Sequence, residues 1–413
     1  MEATLGTPAC RVCRDEAGAT AVRYCAALRS VITVQSDMGL TILAGIAILQ
    51  GILTLVDGIR AARHIRTFRP RRLSSERVMV FCPCKGTDSE FEKNIQSILG
   101  QDYSNFEVQF IVESEDDPAC ATLRHLKQNV LIAGKATDQG QKVHNLSCAV
   151  RHVGSSADVY VFCDSDARFP KDWLSKLLAP LNSGKIATGY RWYVPQRFHF
   201  PTLMRSAWNA SSVGILGNHD RNFVWGGSTA IRRETFERLD ILKSWQGSVS
   251  DDYSITRTAQ RTRTKIIFVP ECLIPSYGEC SFKELIEFTT RQIIITRVYH
   301  RALWRVGFAG HLIFNAAFFL LPFAHPLLWL SIYMLSVAKS RVRYQAVQTV
   351  LPPSALSLYS WFYILCSPLV ALLYLYNMVV SALSSEIIWR QIHYKLVSPN
   401  ETHVFGGSVA REN

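Results

Sequence analysis

Three long stretches of the chain contain no Asp, Glu, Lys or Arg: residues 38–56, 306–338 and 345–385. Between the first and second, polar and apolar positions alternate on a shorter scale. The runs VMVFC (78–82), FEVQFIV (106–112), NVLIA (129–133) and VYVFC (159–163) are rich in β-branched and aromatic residues, which predicts strands. Each precedes a segment with helical spacing: EFEKNIQSIL, a segment opening near Pro118, NLSCAVRHV and KDWLSKLLAPL. This alternation predicts an α/β unit, a mostly parallel sheet covered by helices. Ligands of that architecture sit beyond the carboxyl ends of strands, so the residues after each run are the candidate site.

The uncharged stretches read differently. Residues 38–56 are long enough to cross ~30 Å of hydrocarbon as a helix. A cleaved signal peptide would carry its basic flank before a shorter apolar core, whereas here Arg60, Arg63, Arg66, Arg69, Arg71, Arg72 and Arg77 all follow it. An uncleaved anchor is therefore expected, with residues from 58 onward cytoplasmic. The stretches 306–338 and 345–385, interrupted by Pro322, Pro326, Pro352, Pro353 and Pro368, are each either a tight hairpin or one span plus an interfacial piece. Three to five spans result. The expected organisation is an N-terminal extension (1–37), a transmembrane anchor (38–57), a basic linker (58–77), an α/β domain (78–281), an interfacial amphipathic helix (282–305), a C-terminal transmembrane region of two to four helices (306–385) and a cytoplasmic tail (386–413).

Composition agrees with this division. Charged residues are 19% of the 413, and the formal net charge is +12. Outside the 93 uncharged residues the charged fraction returns to about 24%, the ordinary soluble value. Nine of the twelve net charges flank apolar segments, and 78–305 carries only +4, which argues against nucleic acid as a partner. The eleven cysteines are scattered and expected to be reduced. Cys10 and Cys13 form a CxxC pair with no second pair at zinc spacing, which reads as incidental.

Candidate chemistry lies behind the predicted strands. After the first comes Cys82-Pro83-Cys84-Lys85-Gly86, and after the second Glu113-Ser114-Glu115-Asp116-Asp117. After the fourth comes Asp164-Ser165-Asp166, two carboxylates at i, i+2 that can supply oxygen ligands to Mg²⁺ or Mn²⁺. Asp-Ser-Asp alone reads first as a turn sequence; its position behind the most apolar strand, together with a second acidic cluster at another strand end, favours the site. Lys142, in GQKVHN, could meet a phosphate near a helix N-terminus. Gly226-Gly227 is a turn that lets substrate approach the backbone. In Ser250-Asp251-Asp252-Tyr253 a carboxylate is either an N-cap or a general base.

In order and spacing, FCPCKG, ESEDDPA, KVHNL, CDSDAR, GGSTAIRRE and SDDYS resemble family 2 glycosyltransferases of the GT-A fold. They resemble more closely the family 21 branch typified by ceramide glucosyltransferases, and Trp389-Arg390 with Tyr394-Lys395-Leu396 is similar to that branch's tail. The resemblance implies an inverting transfer of a hexose, glucose by analogy, from a UDP-sugar to a membrane lipid at the bilayer, with a divalent metal (Mn²⁺ or Mg²⁺). It makes Asp166 and Asp164 the metal and sugar-nucleotide carboxylates, Lys142 a diphosphate contact and Asp252 the base. Ser114 stands where the family usually has Asp, so contact with the uracil side passes to Glu113 or Glu115. The branch's (Q/R)xxRW motif is degraded, with Ile294-Ile295 in place of Arg-Trp. Either Arg291, Gln292 and Arg297 take over at the diphosphate, or this segment is an amphipathic helix on the membrane. A processive polysaccharide synthase and a catalytically impaired membrane binding module are the alternatives.

Overall fold

The computed structural model describes residues 9–70, 75–182, 184–356 and 358–405, with side chains from Asp37 onward. Residues 1–8 and the side chains of residues 9–36 of the expected N-terminal extension, those of Cys10 and Cys13 included, lie outside the described set. Among the described residues the strands are β1 (Val78–Pro83), β2 (Phe106–Val112), β3 (Val130–Ile132), β4 (Val159–Cys163), β5 (Lys185–Tyr193), β6 (Ser228–Arg232), β7 (Lys265–Ser276), β8 (Glu386–Trp389), β9 (Ile392–Ser398) and β10 (Glu401–Phe405). The helices begin with α1 (Ala9–Thr67), α2 (Phe91–Leu99), α3 (Pro118–His125), α4 (Gln141–Val153), α5 (Trp173–Leu178), α6 (Phe200–Val213) and α7 (Arg233–Arg238). They continue with α8 (Ile241–Ser244), α9 (Asp251–Arg261), α10 (Phe282–Tyr299), α11 (Arg301–Ala324), α12 (Pro326–Val347), α13 (Ser360–Leu365) and α14 (Ser367–Leu383).

The first seven strands form one sheet in the order β3-β2-β1-β4-β6-β5-β7. Only β6 runs against the rest, so the sheet is mostly parallel, as the alternating pattern predicts. The strands are apolar on both faces because both faces are covered: β1 and β4 are almost wholly buried. Antiparallel pairing of Cys163 with Ser228 brings the start of β6 to the same sheet edge as the end of β4. The end of β5 reaches that edge too. Three widely separated segments thus meet there: residues after Cys163, residues before Ser228, and Arg191 to Tyr193.

α1 is one continuous helix through the expected anchor and on to Thr67, so the first part of the basic linker is helical. Arginine has good helix propensity, and nothing in 58–67 breaks the turn. α11 and α12 form a hairpin along α1. Asp37 of α1 meets His325 at the turn (3.1 Å), Gln50 donates to the Gly310 carbonyl (3.1 Å), Gly51 packs on Leu335 and Gly58 on Lys339. The segments Asp37–Thr67 and Arg301–Ala324 are long and apolar enough to cross a membrane, and α14 is a shorter apolar helix.

α10 departs from a simple interfacial helix. Its start has a Ser281/Glu284 capping box, and the consecutive Ile293, Ile294 and Ile295 are all buried, on faces packed against different partners. The tail folds back as the antiparallel sheet β10-β9-β8. Ile294 and Ile295, which stand where the family has Arg-Trp, pack with Ile387, Tyr394 and Leu396 of that sheet.

Candidate active site

Four carboxylates and two cations converge at the sheet edge. Asp164 and Asp166 follow β4, and Asp251 and Asp252 open α9 behind the N-cap Ser250, in the first turn where the helix dipole favours negative charge. Lys142, in the first turn of α4, donates to Asp164 Oδ1 at 2.8 Å and lies 3.3 Å from Asp251 Oδ1. Burial pulls its pKa down, but Asp164, Asp251 and Asp252 outweigh burial and raise it, so it stays an ammonium.

Arg191 is the second cation, and the sequence reading does not include it. One guanidinium nitrogen donates to Asp164 Oδ2 (2.7 Å) and Asp166 Oδ1 (2.6 Å), the other to Asp166 Oδ2 (2.9 Å) and the Tyr193 hydroxyl (3.1 Å). The guanidinium also lies over the Trp225 ring at 5.2 Å. Burial pushes the Asp166 carboxyl up, yet Arg191 wins through its charge and hydrogen bonds and holds it at about 2.

Asp251 has the opposite balance. Its residue is 2% exposed and its Oδ2 has no hydrogen-bond partner. Burial first, then repulsion from Asp252 and Asp164, raises its pKa to about 6 against the pull of Lys142. Asp252 Oδ1 is saturated by the Ser250 hydroxyl and the Tyr253 amide (2.8 Å). Its Oδ2 accepts only a long 3.4 Å bond from the Gly226 amide, which leaves that oxygen available on the cavity side.

The glycines are dictated by this crowding. A Cβ on Gly226 would lie 2.9 Å from Lys142 Nζ and closer still to Asp251 Oδ2; one on Gly227 would lie 2.6 Å from Asp164 Oδ2. Gly140, the N-cap of α4, is likewise pressed against the Val249 backbone.

The tail supplies a third basic group. Arg390 and Gln391 form the turn between β8 and β9 with φ of 49° and 68°, a left-handed conformation that non-glycine residues rarely adopt. Arg390 lines the same cavity and lies near enough to Asp166 to help hold its carboxyl down. Trp389 stacks under Arg291 (5.5 Å), whose guanidinium also donates to the Ile388 carbonyl (3.0 Å). The Tyr394 hydroxyl accepts from the Gln141 amide (3.2 Å), so the tail caps the helix that carries Lys142.

The other expected residues divide. Gln292 and Arg291 line the cavity. Glu113 pairs with Lys85, a lining residue. Glu115 is exposed and pairs with Arg124 at 2.7 Å, and Arg297 donates to the Ser384 carbonyl at 3.0 Å; neither lines the cavity.

Among the described residues no three Asp, Glu, His or Cys side chains group closely enough to hold a metal ion, so a divalent cation here would rest on the Asp164 and Asp166 pair. Four carboxylates face Lys142 and Arg191, and one buried oxygen, Asp251 Oδ2, has no partner. Asp166 keeps 31% of its side chain exposed, and each of its oxygens has a lone pair beyond the one Arg191 uses. The cavity holding these groups has a volume of about 2740 Å³ and runs on past α10 to α11, α12 and α14.

A model of the family described as Glycosyl transferase family 21 matches residues 39–402. Among solved structures the chain is similar to a mannosyltransferase from Pyrobaculum calidifontis in complex with GDP-Man and Mn²⁺, at 16% identity over 81% of this chain and 99% of that one (TM-score 0.44). It is also similar to glucosyl-3-phosphoglycerate synthase from Mycobacterium tuberculosis in complex with Mn²⁺ and UDP-glucose, at 15% identity over 56% and 84% (TM-score 0.38). The family match spans nearly the whole described chain, including the sheet edge, the tail hairpin and the apolar helices: the protein belongs to glycosyltransferase family 21 and is a glycosyltransferase.

Proposed function

We propose that the protein transfers a hexose, glucose by family resemblance, from a UDP-sugar to the hydroxyl of a membrane lipid, with inversion at the anomeric carbon. The observation that carries this reading is one cavity with carboxylates and cations at one end and apolar helices at the other. Ligand sites usually occupy ~300–1,000 Å³, so about 2740 Å³ holds a nucleotide sugar with room for a second, amphiphilic substrate.

In this reading α1 and the α11–α12 hairpin lie in the bilayer with the α/β domain cytoplasmic, as the arginines after residue 57 favour. Asp166 and Asp164 are the residues that would hold a divalent metal, which when bound would supply Lewis-acid stabilisation of negative charge on the diphosphate. Lys142 and Arg390 are fixed cations aimed at the same charge, the former held protonated by its carboxylates. Arg390, on a turn braced by the Trp389–Arg291 stack, takes the place of the family's missing Arg-Trp pair. Asp252 Oδ2 accepts the proton of the acceptor hydroxyl as that oxygen attacks the face opposite the diphosphate. Gly226 and Gly227 let the sugar approach the backbone between these groups.

The testing experiment is a panel of UDP-sugars incubated with the purified protein, Mn²⁺ and a total lipid extract, read by mass spectrometry. A hexosylated product in the organic phase is expected. A long water-soluble polymer would indicate a synthase, and no metal-dependent UDP release from any donor would overturn the catalytic reading altogether.

A further inference from the structure

The cavity has a second charged region that the transfer chemistry does not use. Lys339 and Arg343 lie one turn apart on α12, and both line the cavity. Among the described residues neither forms an ion pair or a hydrogen bond. Between them Ser340, 1% exposed and also lining the cavity, has an Oγ without a partner. The surrounding elements offer no compensating charge: 306–338 and 345–385 contain no Asp or Glu, and Asp57 of α1 is already bonded to Arg60 at 3.1 Å. His311 of α11 and Tyr374 of α14, which stack on each other at 4.7 Å, also line the cavity.

Two adjacent, partly buried cations without a counter-ion are costly unless an anion completes them. Their position says where that anion comes from. A Cβ at Gly58 would lie 3.5 Å from the Lys339 side chain, which places Lys339 where the uncharged part of α1 gives way to its arginines, and Arg343 lies beside Gly214 at the end of α6. With α1 and α11 placed in a bilayer as proposed above, this seam between the α/β domain and the apolar helices falls at headgroup depth. We infer that Lys339 and Arg343 form a binding site for the phosphate of a lipid headgroup, with the acyl chains against α11 and α14 and the headgroup directed into the cavity. Arginine suits this role because its planar fork pairs with two phosphate oxygens, and lysine adds a point charge.

The inference rests on the membrane reading above only in placing these helices in a bilayer, and its test needs no sugar donor, so failure of transfer cannot imitate failure of binding. Full-length protein in neutral detergent is incubated with dioleoyl phosphatidic acid or with dioleoylglycerol, which has the same chains and a hydroxyl for the phosphate. Retained lipid is counted by native mass spectrometry. Phosphatidic acid should be retained at least about tenfold better than dioleoylglycerol. The preference should disappear in Lys339→Gln/Arg343→Gln and persist in Lys339→Arg/Arg343→Lys, which keeps both charges and controls for folding. Equimolar inorganic phosphate should not displace the lipid. Equal retention of the two lipids, an unchanged preference in the Gln pair, or displacement by inorganic phosphate would each overturn the site as a lipid-headgroup site.

Discussion

Arg191 is the only side chain that hydrogen-bonds both Asp164 and Asp166 among the described residues, so its removal tests the electrostatics most sharply. In Arg191→Met the three bonds of 2.6, 2.7 and 2.9 Å are lost, Asp164 keeps Lys142, and Asp166 keeps no hydrogen-bonded cation. Breaking a buried ion pair from one side costs about 3–5 kcal/mol. Exposure of 20% and 31% for the two carboxylates moves the expectation to the low end, about 3 kcal/mol. For a unit of about 200 residues this lowers the melting temperature by on the order of 10 °C. Mn²⁺ is expected to stabilise the variant more than the wild type, because the ion then supplies charge that Arg191 no longer does. Binding confined to the folded state returns about 2.7 kcal/mol at a hundred times the dissociation constant. The assay is thermal unfolding by tryptophan fluorescence in detergent, after EDTA and again after Mn²⁺. A melting temperature within about 2 °C of wild type without metal, or equal Mn²⁺ shifts in both proteins, would refute the reasoning.

Three other substitutions probe separate parts of the site. Asp251→Asn should remove a pH-dependent loss of stability: the raised carboxyl stabilises the fold fully below its ordinary value of 3.8, and that contribution is lost as pH rises through about 6. Wild type should therefore fall relative to the variant by up to about 3 kcal/mol over that window, and parallel unfolding profiles would contradict it. Gly226→Ala should lose donor binding measured by isothermal titration and about 1–3 kcal/mol of stability, since its Cβ cannot coexist with Lys142 and Asp251 as placed. Arg390→Gln should reduce kcat/KM for the UDP-sugar roughly ten- to a hundredfold, the worth of a charge-assisted contact; a change below about threefold would remove Arg390 from the diphosphate site.

Much of the sheet edge was legible in the sequence because an apolar strand followed by a polar turn is a local signal. Asp164, Asp166, Lys142 and Asp252 lie where such turns end strands or begin helices and all line one cavity, while Gly226 and Gly227 form the turn before β6 that packs against Lys142, Asp251 and Asp164. Arg191 was not legible: it sits inside β5, a strand broken by a register shift near Gly189, and its partners are set by strand order. Asp251 and Asp252 are adjacent in a helix's first turn, and the sequence does not say which carboxylate is buried. The tail was recognisable as a motif, yet its contact with Gln141 across 253 residues is a product of tertiary packing. Glu115 and Arg297 show the reverse case, charged residues at suggestive positions whose side chains find partners elsewhere. The uncharged stretch 306–338 falls on two helices, α11 and α12, packed along α1, and of these two only α11 is long and apolar enough to cross a membrane.

The central claim is most directly tested with Asp252→Asn, which keeps the side chain's shape and an oxygen to accept from Ser250 and Tyr253, gives up the long bond from the Gly226 amide, and removes the base. Wild type and variant are each given radiolabelled UDP-glucose, Mn²⁺ and lipid extract, and label in the organic phase is counted alongside donor binding by isothermal titration. The account predicts that transfer falls by at least about a hundredfold while donor affinity stays within about threefold. An Asp252→Asn protein that transfers glucose at the wild-type rate would contradict it.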